Sequence, residues 1–69
     1  MKRFEIGQRI RDNGVTFEIT GRTEKTVNFI EIKHEGRENE RRSEEKKAKI
    51  GKWSKREIFI TGYRTIEAN

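Results

Sequence analysis

The densest group of chemically useful side chains in the sequence is basic. Lys46, Lys47, Lys49, Lys52, Lys55 and Arg56 follow one another with no acidic residue between them, and Trp53, the single tryptophan, lies among them. Ammonium and guanidinium groups in such a run neutralise phosphates, which supplies affinity for DNA or RNA with little reading of base sequence. An exposed indole in the same place stacks on an unpaired base or a ribose. These seven residues are the expected nucleic-acid-binding site, with Arg41 and Arg42 as an extension of its footprint. The same residues also admit a structural role. Lysines on the wet face of an edge strand oppose edge-to-edge aggregation, and Trp53 would then close the open end of a barrel.

Catalysis has less to draw on. A nucleophile triad needs a base and an orienting carboxylate, and here His34 is the only histidine and Asp12 the only aspartate. Asp12 falls in a turn former and His34 at a strand end beside Glu35, where both read as solvated side chains. No phosphate loop, dinucleotide fingerprint or metal-ligand spacing is present, and no spacing singles out a pair among the glutamates. The expectation is a non-enzyme with no cofactor and no metal. Arg22 and Arg64 each follow a glycine turn; they make an anion site only if those strand ends converge, and ordinary turn chemistry explains them otherwise.

A site of this kind needs a fold to present it, and composition bounds that fold. The 69 residues fit one domain spanning 1–69. Hydrophobic residues make up 29% and charged residues 42%, close to the balance of disordered chains, so folding depends on how the apolar positions are arranged. Seventeen Lys and Arg against 12 Asp and Glu leave a net charge of +5, which suits polyanions and solubility alike. The absence of cysteine excludes a disulfide framework and the usual structural zinc sites, and favours a cytoplasmic setting. The longest apolar run, Ile58-Phe59-Ile60, is far short of a membrane span, and Met1–Glu5 lacks the apolar stretch of a signal peptide, so no membrane partner is expected.

The apolar positions alternate. Val15, Phe17 and Ile19 interleave with Thr16, Glu18 and Thr20, the period of a strand with one buried face. Asp12-Asn13-Gly14 before it tolerates the positive φ of a tight turn, so a hairpin is predicted from about Arg9 to Thr20. A third strand runs from Thr26 to Lys33. Its apolar phase shifts, with Val27 and Phe29 on one face and Ile30 and Ile32 on the other. Either a β-bulge re-aims the chain or the strand is central and covered on both sides, and a small barrel favours the bulge.

Between Lys33 and Lys47 there is no large apolar residue. Glu38 with Arg42 and Glu45 with Lys49 sit at helix-pair spacing, but nothing anchors a helix, and the stretch at about 34–46 reads as a long, mobile, charged hairpin arm. Eight charges of both signs crowd it: Glu35, Arg37, Glu38, Glu40, Arg41, Arg42, Glu44 and Glu45. Docking of this arm on a protein partner is the alternative function, an adaptor, and homo-oligomerisation through the last strand is a third. The returning limb, Lys46–Ile50, places Ala48 and Ile50 inward and Lys47 and Lys49 outward. Gly51–Lys55 is expected to turn the chain, Glu57–Thr61 to form strand five and Tyr63–Glu67 a short last strand. Phe4, Phe17, Phe29, Phe59 and Tyr63 are expected in the core. The short motif Ile19-Thr20-Gly21 recurs as Ile60-Thr61-Gly62, which is too brief to establish a repeat.

The segment from Phe17 to Val27, followed by a charged arm, a basic strand and a final strand of glutamate and apolar residues, resembles small uncharacterised proteins of Gram-positive phages and other mobile elements. The resemblance implies a compact β-barrel and no particular reaction, cofactor or site. Together these readings give an all-β domain of five or six antiparallel strands in an SH3-like barrel, with the arm projecting between strands three and four. Its expected function is non-catalytic contact with nucleic acid.

Overall fold

In a computed structural model describing residues 2–68, the alternation of Val15, Phe17 and Ile19 becomes one face of a long central hairpin. The strands run in order β1 (Arg9–Asp12), β2 (Val15–Arg22), β3 (Thr26–Lys33), β4 (Arg41–Arg42), β5 (Lys46–Lys49), β6 (Gly51–Trp53), β7 (Arg56–Thr61) and β8 (Arg64–Glu67). No helix occurs among the described residues. All pairings between strands are antiparallel and fall into two sheets, one of β1, β2, β3, β4 and β5 and one of β6, β7 and β8.

Turn chemistry sets the registers. Asn13 and Gly14 both take positive φ, 47° and 83°, between the paired residues Asp12 and Val15, as a two-residue hairpin of this twist requires. Thr23 organises the β2–β3 turn, its hydroxyl accepting from the Thr26 amide at 3.1 Å. Gly62 turns β7 into β8 with φ of 57°. Gly21, by contrast, lies in extended backbone beside a register shift between Ile19 and Gly21, so the two Ile-Thr-Gly motifs have unlike conformations and are not a structural repeat.

Both explanations for the phase change in β3 hold in part. The bulge is real but sits on β2, at Thr20, while β3 itself alternates regularly and is covered on both sides. Val27 and Phe29 enter the common core; Ile32, fully buried, faces the other way, in the same row as Thr16 and Arg42. What covers that far face is the start of the arm. The Glu35 carboxylate accepts from the Thr16 hydroxyl at 3.0 Å, from Arg9 at 2.6 Å and from Arg11 at 3.1 Å. The arm therefore does not project freely. Its loop closes through amides of Arg37 and Glu40 bonded to His34 and Arg37 carbonyls, and β4 returns it against Ile32 and Lys33. These partners, drawn from β1 and β2, hold the base of the arm at Glu35, and the hairpin expected there forms through β4.

β4, β5 and β6 are three stretches of one ribbon, interrupted at Ser43–Glu45 and bent at Ile50. The Ile50 side chain packs on the core and its amide bonds to the Lys25 carbonyl at 2.8 Å. Before the bend the ribbon pairs with β3 and after it with β7, so it joins the sheets. Gly51–Trp53 is thus strand, and only Ser54 and Lys55 make the turn, which corrects the longer turn expected there. The core between the sheets centres on Phe59, whose ring lies 4.6 Å from Phe29, 5.2 Å from Phe4 and 6.3 Å from Phe17. Tyr63, expected in this core, is fully exposed, because it occupies the second position of the β7–β8 turn instead of a strand.

One charged pair is built into the core's rim. Glu57 is 2% exposed on the inward row of β7, and its carboxylate receives both terminal nitrogens of Arg22, at 2.6 and 3.0 Å, together with the Phe4 amide at 2.8 Å. Arg22 also donates to the Phe4 carbonyl at 2.7 Å. The Arg22 bonds hold the Glu57 carboxyl below the usual glutamate range against the opposing effect of burial, with the Phe4 amide adding to them. Removing one partner leaves a buried charge unmatched, so Arg22→Ala is expected to lower the unfolding free energy by about 3 kcal/mol or more in a urea titration at neutral pH. A loss under about 1 kcal/mol would mean that solvent replaces the pair. Because the folded pKa is depressed, the stabilisation is complete above the unfolded pKa and disappears as pH falls through the folded one. The thermal midpoint should therefore be flat above about pH 6 and drop below about pH 4.5. Glu57→Gln should start lower at neutral pH and lose less on acidification.

Candidate nucleic-acid interface

Strand alternation sorts the basic run into groups. Ala48 and Ile50 pack inward, so Lys47, Lys49, Gly51 and Trp53 form an outward stripe along the bent ribbon β5–β6. Lys47 and Lys49 stand about 7 Å apart along it. Across the β6–β7 pairing, Arg56 lies opposite Trp53 and Ile58 opposite Gly51, while Ile60 continues the same face of β7. Trp53 is 65% exposed and Ile60 64%. The indole does not close an end of the fold; it stands on an open sheet face.

The remaining members of the run lie elsewhere. Lys46 is on the opposite side of β5, in register with Phe29, and is ion-paired with Glu31. Lys52 shares the face of its partner Glu57 but is exposed at the sheet's end. Lys55 occupies the turn tip. One cation that the run does not contain joins them: the Lys2 amide bonds to the Lys55 carbonyl at 3.0 Å and the Lys2 carbonyl accepts from the Glu57 amide at 2.9 Å, which brings exposed Lys2 beside Arg56. Sequence distance hid Lys2. Gly51, Ile58 and Ile60 were missed for a different reason, since carrying the Lys47/Lys49 alternation two steps further already turns Gly51 and Trp53 outward. Arg41 and Arg42 sit on β4 beside the far half of β3, where Arg42 pairs with Glu40 at 3.3 Å.

Charge is divided unevenly over the molecule. Among the described residues the arginines 3, 9, 11, 22, 42 and 64 make ion pairs, whereas Lys46 is the one lysine that does. The planar fork of arginine suits fixed bidentate contacts, and the ammonium on a flexible stem does not. Glu35 shows the consequence: the Thr16 hydroxyl, helped by Arg9 and Arg11, holds its carboxyl below the ordinary range. Lys47, Lys49, Lys52, Lys55 and Arg56 have no ion-pair partner among the described residues, as is also true of Lys25, Lys33, Arg37 and Arg41, and one exposed carboxylate, Glu67, shares the outward face opposite Ile58. Arg22 and Arg64 do not converge. The first is held by Glu57, and the second donates to the Asp12 carboxylate at 2.9 Å and the Asp12 carbonyl at 2.8 Å, at the other end of β2. Asp12 is thereby occupied, and exposed His34 makes no side-chain hydrogen bond among the described residues.

No protein-family model, curated protein or solved structure matches the chain.

The turn at the tip of the site is conformationally costly. Ser54 and Lys55 take φ of 49° and 64°, the left-handed region that Asn and Gly enter more readily. Replacing them by Ser54→Asn and Lys55→Gly together should raise the unfolding free energy by about 1 kcal/mol. Urea titration of the double variant checks this, and an unchanged or lowered midpoint would show that the native pair is already unstrained.

Proposed function

We propose that the chain is a non-catalytic nucleic-acid-binding module that grips the phosphate backbone through the outward face of β5, β6 and the first half of β7. The observation carrying this reading is the charge partition: structural ion pairs take up most arginines, while Lys47, Lys49, Lys52, Lys55 and Arg56 stay uncompensated around an exposed Trp53. Lysines that serve only to protect an edge need no tryptophan beside them. In this mechanism Lys47, Lys49 and Arg56 on that face, with Lys55 at the turn tip and Lys52 at the sheet's end, contact a phosphate backbone that wraps the edge, Trp53 supplies a stacking surface, and no cofactor takes part. The adaptor reading through the arm is less well supported, because Glu35 and Glu40 already hold partners within the chain.

The reading extends to the fold. We infer a partly open SH3-like barrel, in which the bend at Ile50 carries one ribbon from sheet to sheet and the Arg64–Asp12 contact draws β8 towards β1. In the setting implied by the resemblance to phage and mobile-element proteins, the module is a cytoplasmic accessory protein.

Binding of a dye-labelled oligonucleotide, followed by anisotropy, tests the proposal. Affinity should fall steeply with salt, the logarithmic slope being about −0.7 for each phosphate of a single strand and about −0.9 in a duplex. The double variant Lys47→Glu and Lys49→Glu should bind about tenfold or more weaker at low salt and show a shallower slope. An oligonucleotide that does not bind at low salt, or binds independently of salt, sinks the reading.

A further inference from the structure

The outward face that carries the cations also carries a bare, apolar strip, and nothing in the folding of the chain demands it. Gly51 lies in a strand, where glycine weakens pairing. Its φ is not in the positive range, and a Cβ built there would meet Ile58 Cγ1 at 3.4 Å, an ordinary contact. The position would therefore accept a side chain. Its absence leaves the flank of Ile58 open between Lys49 and Trp53. Beside it the β5 and β7 ladders part: pairing between the ribbon and β7 covers Gly51 to Trp53 but does not continue to Lys49. The parting leaves a shallow cleft of about 290 Å³ whose lining includes Lys49, Gly51, Ile58 and Ile60.

We propose that this strip is a nucleobase seat, making the ligand a single strand whose unpaired bases lie on Trp53 and on the Gly51–Ile58 floor while Lys47, Lys49 and Arg56 hold its phosphates. The inference rests on the nucleic-acid reading above and narrows it from phosphate contact to base contact. The chemistry of the surroundings chooses the occupant. An apolar floor with Lys49 and Arg56 on its β5 and turn sides and one carboxylate, Glu67, beyond Ile58 on β8 matches a ligand that alternates an aromatic face with an anion and runs along the ribbon side, which is the repeat of a single strand. A duplex buries its base faces and offers the strip nothing. A second copy of the chain would bring another +5 of charge to a face already rich in cations.

Trp53, as the single tryptophan, reports directly on its own stacking. Three probes of equal length are compared at low salt by anisotropy and by indole fluorescence: an oligothymidylate, the same backbone with abasic sugars, and a duplex. A base seat predicts that oligothymidylate binds about tenfold or more tighter than the abasic strand and alone quenches the indole. Gly51→Val should remove most of that margin while leaving abasic binding unchanged, and Trp53→Ala should weaken oligothymidylate binding by a comparable factor. Gly51→Ala, the smaller filler, guards against a folding defect in the valine variant. Both glycine variants should melt no lower than the parent, since they remove a glycine from a strand.

Equal binding of oligothymidylate and abasic strand, without quenching, overturns the seat but leaves phosphate binding standing. Binding of no probe overturns both. A free chain that light scattering finds dimeric, and that Ile60→Lys makes monomeric, assigns the strip to a second copy and overturns the seat as well.

Discussion

The bidentate contact between Arg22 and Glu57 joins three parts of the chain that are remote in sequence. Arg22 ends β2, Glu57 begins the inward row of β7, and both bond the backbone of Phe4, whose ring packs on Phe59. A chain of this size buries only about 60% of the surface that its unfolded form exposes, so it has little apolar area with which to fix the angle between two sheets. A charged pair whose oxygens and nitrogens all find donors and acceptors fixes geometry in a way that the phenylalanines alone do not, since apolar contact is non-directional. Among the described residues no buried side-chain nitrogen or oxygen lacks a partner. The same contact shapes the outer surface. Glu57 is adjacent to Arg56 in sequence and paired with Lys52 across the sheet; turned inward to Arg22, its charge does not cancel theirs.

Local patterns in the sequence carried the strands well. β3 has the bounds that its β-branched run predicts, Asn13-Gly14 makes the expected hairpin, and the Ala48/Ile50 against Lys47/Lys49 alternation is observed. What stayed hidden depends on contacts between distant residues. Glu35 finds Arg9, Arg11 and Thr16 on strands laid down before β3, and no pattern within the arm announces those partners. A segment without apolar residues therefore read as mobile, although ionic and hydroxyl contacts hold its base. Ile32 is the residue that gave a signal: an aliphatic side chain on the face opposite Val27 and Phe29 requires a cover, and the arm supplies it.

For the basic run, sequence adjacency was a poor guide to surface adjacency. Lys46 and Lys47 are neighbours in the chain and lie on opposite faces of β5, one tied to Glu31 and the other open. Lys2 and Arg56 are far apart in the chain and adjacent in the fold. The reason is the two-residue period of a strand, which splits any continuous charged run into two sets.

Several places where local preference is disobeyed fall together. Glycine within β6, a serine and a lysine in left-handed conformation, and an exposed tryptophan and isoleucine all fall on the β5–β6–β7 face or at its tip. Other departures lie apart from this face: His34 takes φ of 57°, Gly21 sits within β2, and Ile6 and Tyr63 are exposed. Stability selects against the departures on the β5–β6–β7 face singly, because alanine or valine at position 51 and Asn-Gly at 54 and 55 meet the same backbone at lower cost. The coincidence of the glycine, the left-handed pair and the exposed apolar side chains on the face that holds Lys47, Lys49 and Arg56 has a common physical origin if that face is kept open for a ligand. Filling it would strengthen the sheet and close the strip between Lys49 and Trp53.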